Sequence, residues 1–241
     1  MTPAQLKVTV AYRAHKVLTS AGTSRDDLKV NEWVKSAIRY IQECEDWSCH
    51  RDFWSLTAST TPALAAGTAA YNLGTLKSDF RKLVGDSVRY GRQEIEYEDD
   101  MAEMARRLGR DWRDSGVANG VPKLCCLMGK TLYIGPKPSQ SFITQYSSIE
   151  GEYFVTEDIS SASWLTTSLR FWEDFYNYLV DVAMIFADYE NDESQLNTAL
   201  SQWNGVELTR LRGFDPAPVS KDQLADPILF GDSNFVPGGL L

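Results

Sequence analysis

Several kinds of residue are scarce in this 241-residue chain, and each scarcity excludes something. There are two histidines, His15 and His50, and four cysteines, Cys44, Cys49, Cys125 and Cys126. Four cysteines in a chain this long do not make a disulfide framework, and they are expected to be reduced thiols. Cys44-x4-Cys49 with His50 lacks the second ligand pair that a structural zinc site needs, so no metal is expected. There is no glycine-rich phosphate loop, no nucleophile elbow and no zinc-protease helix. The catalytic inventory is thin: no catalytic residue and no cofactor is expected.

No run of about 18 apolar residues is present, which argues against a membrane-spanning helix. The opening MTPAQLKVTV has neither the basic nor the apolar region of a signal peptide, and synthesis in the cytoplasm is the expectation. Positive charge is also in deficit. The net charge is −9, so a tight grip on nucleic-acid phosphates is disfavoured. From Asp188 onward nine acidic residues face three basic ones, Arg210, Arg212 and Lys221, whereas between Arg81 and Asp114 the balance is nine to eight. A ring of such chains would present acidic walls along which DNA slides without specific binding.

What is present is apolar content ample for a core, with 43% hydrophobic and 12% aromatic residues. Thr2-Pro3-Ala4-Gln5 has the form of a capping box with proline at the first helical position. Leu6, Val10, Ala14, Val17, Leu18 and Ala21 then recur at helical spacing, with Gly22 as the expected stop. A second helix opens near Ser24. It carries one stripe at Val30, Val34, Ala37, Ile38, Ile41 and Cys44, and another at Trp33, Tyr40 and Trp47.

From Phe53 to Glu150 the period changes. The segments FWSLTAS, AAYNL, FRKLVGDSVRY, PKLCCLM, KTLYIG and SFITQYSS read as short strands between turn residues. Alternation in PKLCCLM points Cys125 and Cys126 to opposite faces. An amphipathic helix built on Met101, Met104, Ala105, Leu108 and Trp112 interrupts the strands between Glu98 and Asp114. Helix returns near Leu165, and the stretch from Leu169 to Tyr189 is apolar on two faces. Glu193 to Leu211 gives one more helix, with Gly205 weakening its last turn. The expected fold is mainly helical α+β: residues 1–50 and 165–212 form a helical bundle, and 51–164 form a small β subdomain with its inserted helix near 99–113.

The last 29 residues, 213–241, carry four prolines and four glycines. Proline removes donors and glycine raises the cost of order, so neither helix nor internal strand is expected. Flexible linkers are polar, yet this segment carries Phe214, Leu224, Ile228, Leu229, Phe230 and Phe235. It reads as an extended C-terminal arm that docks on another chain.

Two clusters could carry chemistry. Glu94, Glu96, Glu98, Asp99 and Asp100 are dense enough for a glycosidase or carbohydrate-binding reading, but alternation along a strand favours a solvated face. Arg106, Arg107, Arg110 and Arg113 on the inserted helix are read as ion-pair partners of that acidic run, with phosphate tracking as the alternative. The abundance of tryptophan on the helices points to oligomerisation.

Phe53-Trp54-Ser55-Leu56-Thr57, Gly67, Tyr71-Asn72-Leu73, Asp79-Phe80-Arg81-Lys82-Leu83 and Gly120-Val121-Pro122 follow one another in order. Leu132-Tyr133-Ile134-Gly135-Pro136-Lys137-Pro138 and Tyr146 come next, then the aromatic helix pair. On these motifs, over roughly residues 1–212, the chain resembles the head-to-tail adaptor, or portal-adaptor, proteins of short-tailed bacteriophages. The segment from Tyr71 to Asp79 departs from the family by being longer and lacking proline.

The resemblance implies a non-enzymatic virion protein at the head-tail junction: a dodecameric homo-oligomer ring beneath the portal that lengthens the DNA channel and holds the tail nozzle. In that ring Trp172, Phe175, Tyr178, Val182 and Tyr189 would contact a neighbour, and the arm's apolar residues would anchor on the portal protein. A related reading is a head-completion or other tail ring subunit.

Overall fold

The computed structural model describes residues 1–215. Phe214 therefore falls within the described residues, whereas Leu224, Ile228, Leu229, Phe230 and Phe235 lie outside them. Helix α1, Pro3–Arg13, starts as its capping sequence requires: the Gln5 side chain accepts from Thr2 N at 2.9 Å. It ends at Arg13, short of the stop expected at Gly22. His15 takes φ 52°, and Lys16 N donates back to Ala11 O at 2.8 Å, the hydrogen bond that closes a helix through a left-handed residue. The chain beyond is then captured by the start of helix α2, Arg25–Cys44. Thr19 N and Oγ1 both donate to the Asp27 carboxylate, at 3.0 and 2.7 Å.

Two sheets follow. In the first, β9 (Ser148–Val155) is central and antiparallel to β1 (Arg51–Thr57) from Arg51↔Phe154 to Thr57↔Ser148. Its other edge is shared by β3 (Phe80–Leu83) and β4 (Arg89–Tyr90), and β5 (Gln93–Glu94) pairs with β4. The second sheet runs β2 (Ala70–Asn72), β8 (Thr131–Gly135), β7 (Leu124–Met128) and β6 (Glu96–Tyr97). Gly129, at φ 60°, makes the tight turn between β7 and β8. A short helix, α3 (Leu73–Leu76), follows β2.

One apolar core holds the sheets together, with Trp54, Leu56, Ile149 and Tyr153 from the first and Cys125, Leu132 and Ile134 from the second. Helix α4, Met101–Leu108, covers the other face of β7, where Met104 and Trp112 meet Leu124 and Cys126. The adjacent cysteines thus enter two different cores, as strand alternation dictates. The segment SFITQYSS is not a strand at its start. Ser139 Oγ accepts from Phe142 N at 3.1 Å and opens helix α5, Gln140–Gln145, so that Tyr146 ends a helix and β9 begins at Ser148.

The C-terminal part also differs from the sequence reading. Residues 165–172 are not helical: Thr166 and Thr167 hydroxyls donate to Ser163 O at 2.9 and 3.2 Å, and Arg170 N donates to Glu157 Oε1 at 2.6 Å. Hydroxyl donors to a backbone carbonyl and a carboxylate acceptor for a backbone N–H compete with the helical ladder in this way. A 3₁₀ turn at Glu173–Phe175 leads into α6, Tyr176–Asp188. Helix α7, Glu193–Trp203, continues through a π-helical turn, Asn204–Leu208, into α8, Thr209–Phe214. Gly205 sits in that π turn, and Gly213 and Phe214 are helical rather than part of an arm. A single core joins α1, α2, α6, α7 and α8, including Val10, Val34, Ile38, Phe175, Leu179, Val182, Trp203 and Leu211.

The helices and sheets share a polar seam. Gln42 Nε2 donates to Val155 O at 2.9 Å in a buried bond, and Arg81 donates to Gln42 O at 3.0 Å and to Asp46 at 3.1 Å. Lys82 reaches the same Asp46 carboxylate at 2.5 Å. The Gln42 bond satisfies a carbonyl that the junction removes from water, while the Asp46 pairs lie at its exposed rim.

Candidate interaction surface

The residues expected to meet a neighbour from α6 are placed unequally. Phe175 and Val182 have no exposure at all. Phe175 stands edge-on to Trp47 at 5.0 Å and stacks on Phe171 at 5.3 Å, so both of its faces are filled from within the chain. For these two residues the inter-subunit assignment is corrected: they are covered from within the same chain, Phe175 by Trp47 and Phe171, which the sequence pattern alone does not locate. Trp172, Tyr178 and Tyr189 are half-buried. Tyr178 lies between Trp203 and Phe214, at 6.5 and 6.3 Å, so Phe214 packs on its own chain while 46% of it remains exposed.

The described chain closes on a clamp. Asp215 accepts from Ser48 N at 3.1 Å with each carboxylate oxygen and from Ser48 Oγ at 2.5 Å, at the end of α2. A carboxylate on a backbone donor is among the stronger hydrogen bonds.

Glu96, Glu98 and Asp100 of the acidic run are engaged in structure. Arg107 donates to both oxygens of Glu96, at 2.6 and 2.8 Å, and also pairs with Glu98. Bonding to Arg107 holds the Glu96 carboxyl below its ordinary range. Arg106 Nε donates to Glu103 at 2.8 Å, and Asp100 Oδ1 caps α4 through Ala102 N at 2.9 Å. Arg113 lies over the rings of Trp112 and Tyr133, at 5.8 and 5.6 Å. The arginine cluster therefore balances the carboxylates at Glu96, Glu98 and Glu103 within the same surface.

Cys49, His50 and Glu157 form a row with the outline of a catalytic triad. Cys49 Sγ is 3.4 Å from His50 Nδ1, and His50 Nε2 is 3.2 Å from Glu157 Oε1. A thiol donating to Nδ1 and Nε2–H donating to the carboxylate satisfy all three groups. Burial, reinforced by the Asp215 carboxylate, pushes the Cys49 thiol up to about 12, so the sulfur stays protonated and is no nucleophile. His50 is fully buried against Phe171, with ring centres 4.5 Å apart. Among the described residues no group of three or more His, Cys, Asp and Glu is placed to hold a metal ion, and no helix is long and apolar enough to cross a membrane.

The exposed surface that sequence reasoning missed belongs to α1. Val8 and Tyr12 are 60% and 83% exposed, one turn apart, beside a groove of about 750 Å³ lined by Met1, Ala4, Thr9, Glu173 and Tyr176. The signal lay in the second apolar row of α1, Ala4, Val8 and Tyr12, spaced four residues apart opposite the core row. Apolar side chains in such a row on an otherwise soluble surface mark a contact face.

The family model described as SU10 adaptor protein matches residues 1–218. No curated protein matches the chain.

Proposed function

Because the chain belongs to the SU10 adaptor protein family, a family of phage head-to-tail adaptors, we propose that it assembles as a ring of identical copies beneath the portal of the capsid. The ring extends the channel through which DNA leaves, and its lower face receives the tail nozzle. The observation that carries this reading is the family match across all the described residues. The role is one of assembly and conduction, not of catalysis.

Three features support the reading. Of the carboxylates that could have served a glycosidase, Glu96 and Glu98 are bound by Arg107 and Asp100 caps α4. A net charge of −9 lets DNA pass a channel wall without being gripped. Residues 216–241 bring apolar anchors, Leu224, Ile228, Leu229, Phe230 and Phe235, to a chain whose described end is clamped at Ser48. In this reading they dock on portal subunits, where many copies held together give strong attachment from individually weak contacts.

The test is electron microscopy of the native particle with the chain labelled at Met1. The expected result is a ring of label at the vertex between head and tail. Label on the capsid faces, on tail fibres or nowhere in the particle would overturn the reading.

A further inference from the structure

Helix α6 has a helix on either flank. Tyr176 Oη meets Thr9 Oγ1 of α1 at 2.5 Å, while Tyr178 packs on Trp203 of α7 at 6.5 Å. Two positions along an α-helix differ by about 200°. Helices α1 and α7 therefore lie on opposite sides of the molecule's helical half.

Both outward faces are poor in charge. Helix α1 contains two charged residues, and each is bonded within the chain: Lys7 to Asp27 at 2.8 Å and Arg13 to Asp181 at 2.9 Å. What α1 shows to solvent is Gln5, Val8, Tyr12 and the paired Arg13, with Glu173 at the edge of the groove. On the other flank, residues 194–206 contain no charged side chain at all, in a chain of which 24% is charged. Thr198, Ser201 and Gln202 are exposed there, and Val206 is 55% exposed. The solvent face of a surface helix ordinarily carries charge, because that keeps the face hydrated and the molecules apart.

Identical copies of a chain with net charge −9 repel one another wherever their acidic surfaces meet. A face poor in charge is where that repulsion is least: on α1 the one exposed charge, Arg13, is already paired with Asp181, and residues 194–206 carry none. We propose that the outward face of α1 in one copy packs against the outward face of α7 in the next. Val206 of one copy then meets the apolar groove beside Val8 and Tyr176 of its neighbour, and Gln5, Ser201 and Gln202 supply hydrogen bonds at the rim.

The two faces differ, so the contact is head-to-tail: each open series keeps one free face of each kind at its ends, and these meet when it closes into a ring. The inference rests on the adaptor reading for that closure and adds which surfaces make it.

Disulfide trapping of the full-length protein tests it, because oxidation captures even brief encounters. Val8→Cys and Ser201→Cys are made singly and together, with the parent chain as baseline. The double variant is expected to give a ladder of dimers, trimers and higher species. An equimolar mixture of the single variants is expected to give dimers, and either single variant alone only the parent's background.

Dimers from one single variant as abundant as those from the mixture would show a two-fold contact and overturn the assignment. A second arm uses charge: Tyr12→Glu and Ser201→Glu each abolish incorporation into particles, where Glu193→Gln, outside both faces, does not. No ladder, or full incorporation of both charged variants, sinks the proposal while leaving the adaptor reading intact. Absence of the parent chain from particles would instead overturn the adaptor reading.

Discussion

Gly151 lies directly beneath the indole of Trp54: a Cβ added at Gly151 would come within 2.7 Å of Trp54 Cζ2. The two residues are paired across β1 and β9, and the ring occupies the space where a side chain at 151 would stand. Gly151→Ala therefore overfills the core between the sheets, at a cost of about 1–3 kcal/mol. Urea unfolding is the measurement. Trp54→Phe in the same chain removes the clashing ring and recovers part of the loss, and an alanine variant as stable as the parent would refute the contact.

His15 sits at φ 52°, where a glycine carries no steric penalty. His15→Gly is expected to raise stability, by about 0.5–1 kcal/mol after the greater flexibility of glycine in the unfolded chain is deducted. Thermal unfolding followed by circular dichroism decides it, and a fall in the midpoint would contradict the assignment of His15 as the stop of α1.

Acid should loosen the junction of α1 and α2. The Lys7 ammonium holds the Asp27 carboxyl well below the usual carboxylate range, helped by Ser24 and Thr19. A carboxyl depressed in the folded state stabilises above its unfolded pKa of about 3.9, and that contribution is lost as pH falls further. The unfolding midpoint of the parent is expected to drop steeply below about pH 4. Asp27→Asn, less stable at neutral pH, should show a shallower drop over the same range. Parallel curves for the two proteins would rule the clamp out.

The thiols are expected to be inert in the native protein. Burial pushes Cys44 up to about 11 and Cys49 and Cys125 up to about 12, and Cys126 is raised by the same cause. A thiol reagent at pH 8 should label the folded chain slowly and all four cysteines once it is unfolded in urea. The sign of the linkage follows: raised thiol pKa values contribute stability below about pH 8.5, which is lost as pH climbs through the folded values. Fast native labelling of Cys49 would reopen the question of its reactivity.

Truncation after Asp215 separates folding from attachment. The clamp on Ser48 is retained, so the unfolding midpoint should stay within a degree or two of the parent's. Binding to capsids that lack this protein, measured by co-sedimentation, should be lost. Undiminished binding would remove the docking role from residues 216–241.

Local rules made much of this fold readable. The cap at Thr2-Pro3-Ala4-Gln5, the start at Ser24 and the opposite facing of Cys125 and Cys126 follow from chemistry within a few residues. The end of α1 was obscured because a histidine takes the conformation that glycine usually takes, so attention fell on Gly22 instead.

Strand β9 was hidden for a related reason: Ile149, Tyr153 and Val155 make an alternating inward row, but Gly151 interrupts it, since Trp54 supplies that side chain's volume from another strand. The surface is the harder part. Two apolar faces on α6 were visible, yet periodicity cannot say whether a neighbour or the same chain covers them, and for Phe175 and Val182 it is the same chain.

Strand β9 also has a mechanical consequence. It is bonded to β1 along one edge and to β3 and β4 along the other, and at Val155 its carbonyl is held by Gln42 of the helices. A pull along the strand loads its antiparallel bonds side by side, so that they share the strain and fail together rather than peeling one after another. Tension reaching the chain along this strand is therefore carried by the whole sheet and by Gln42 at once.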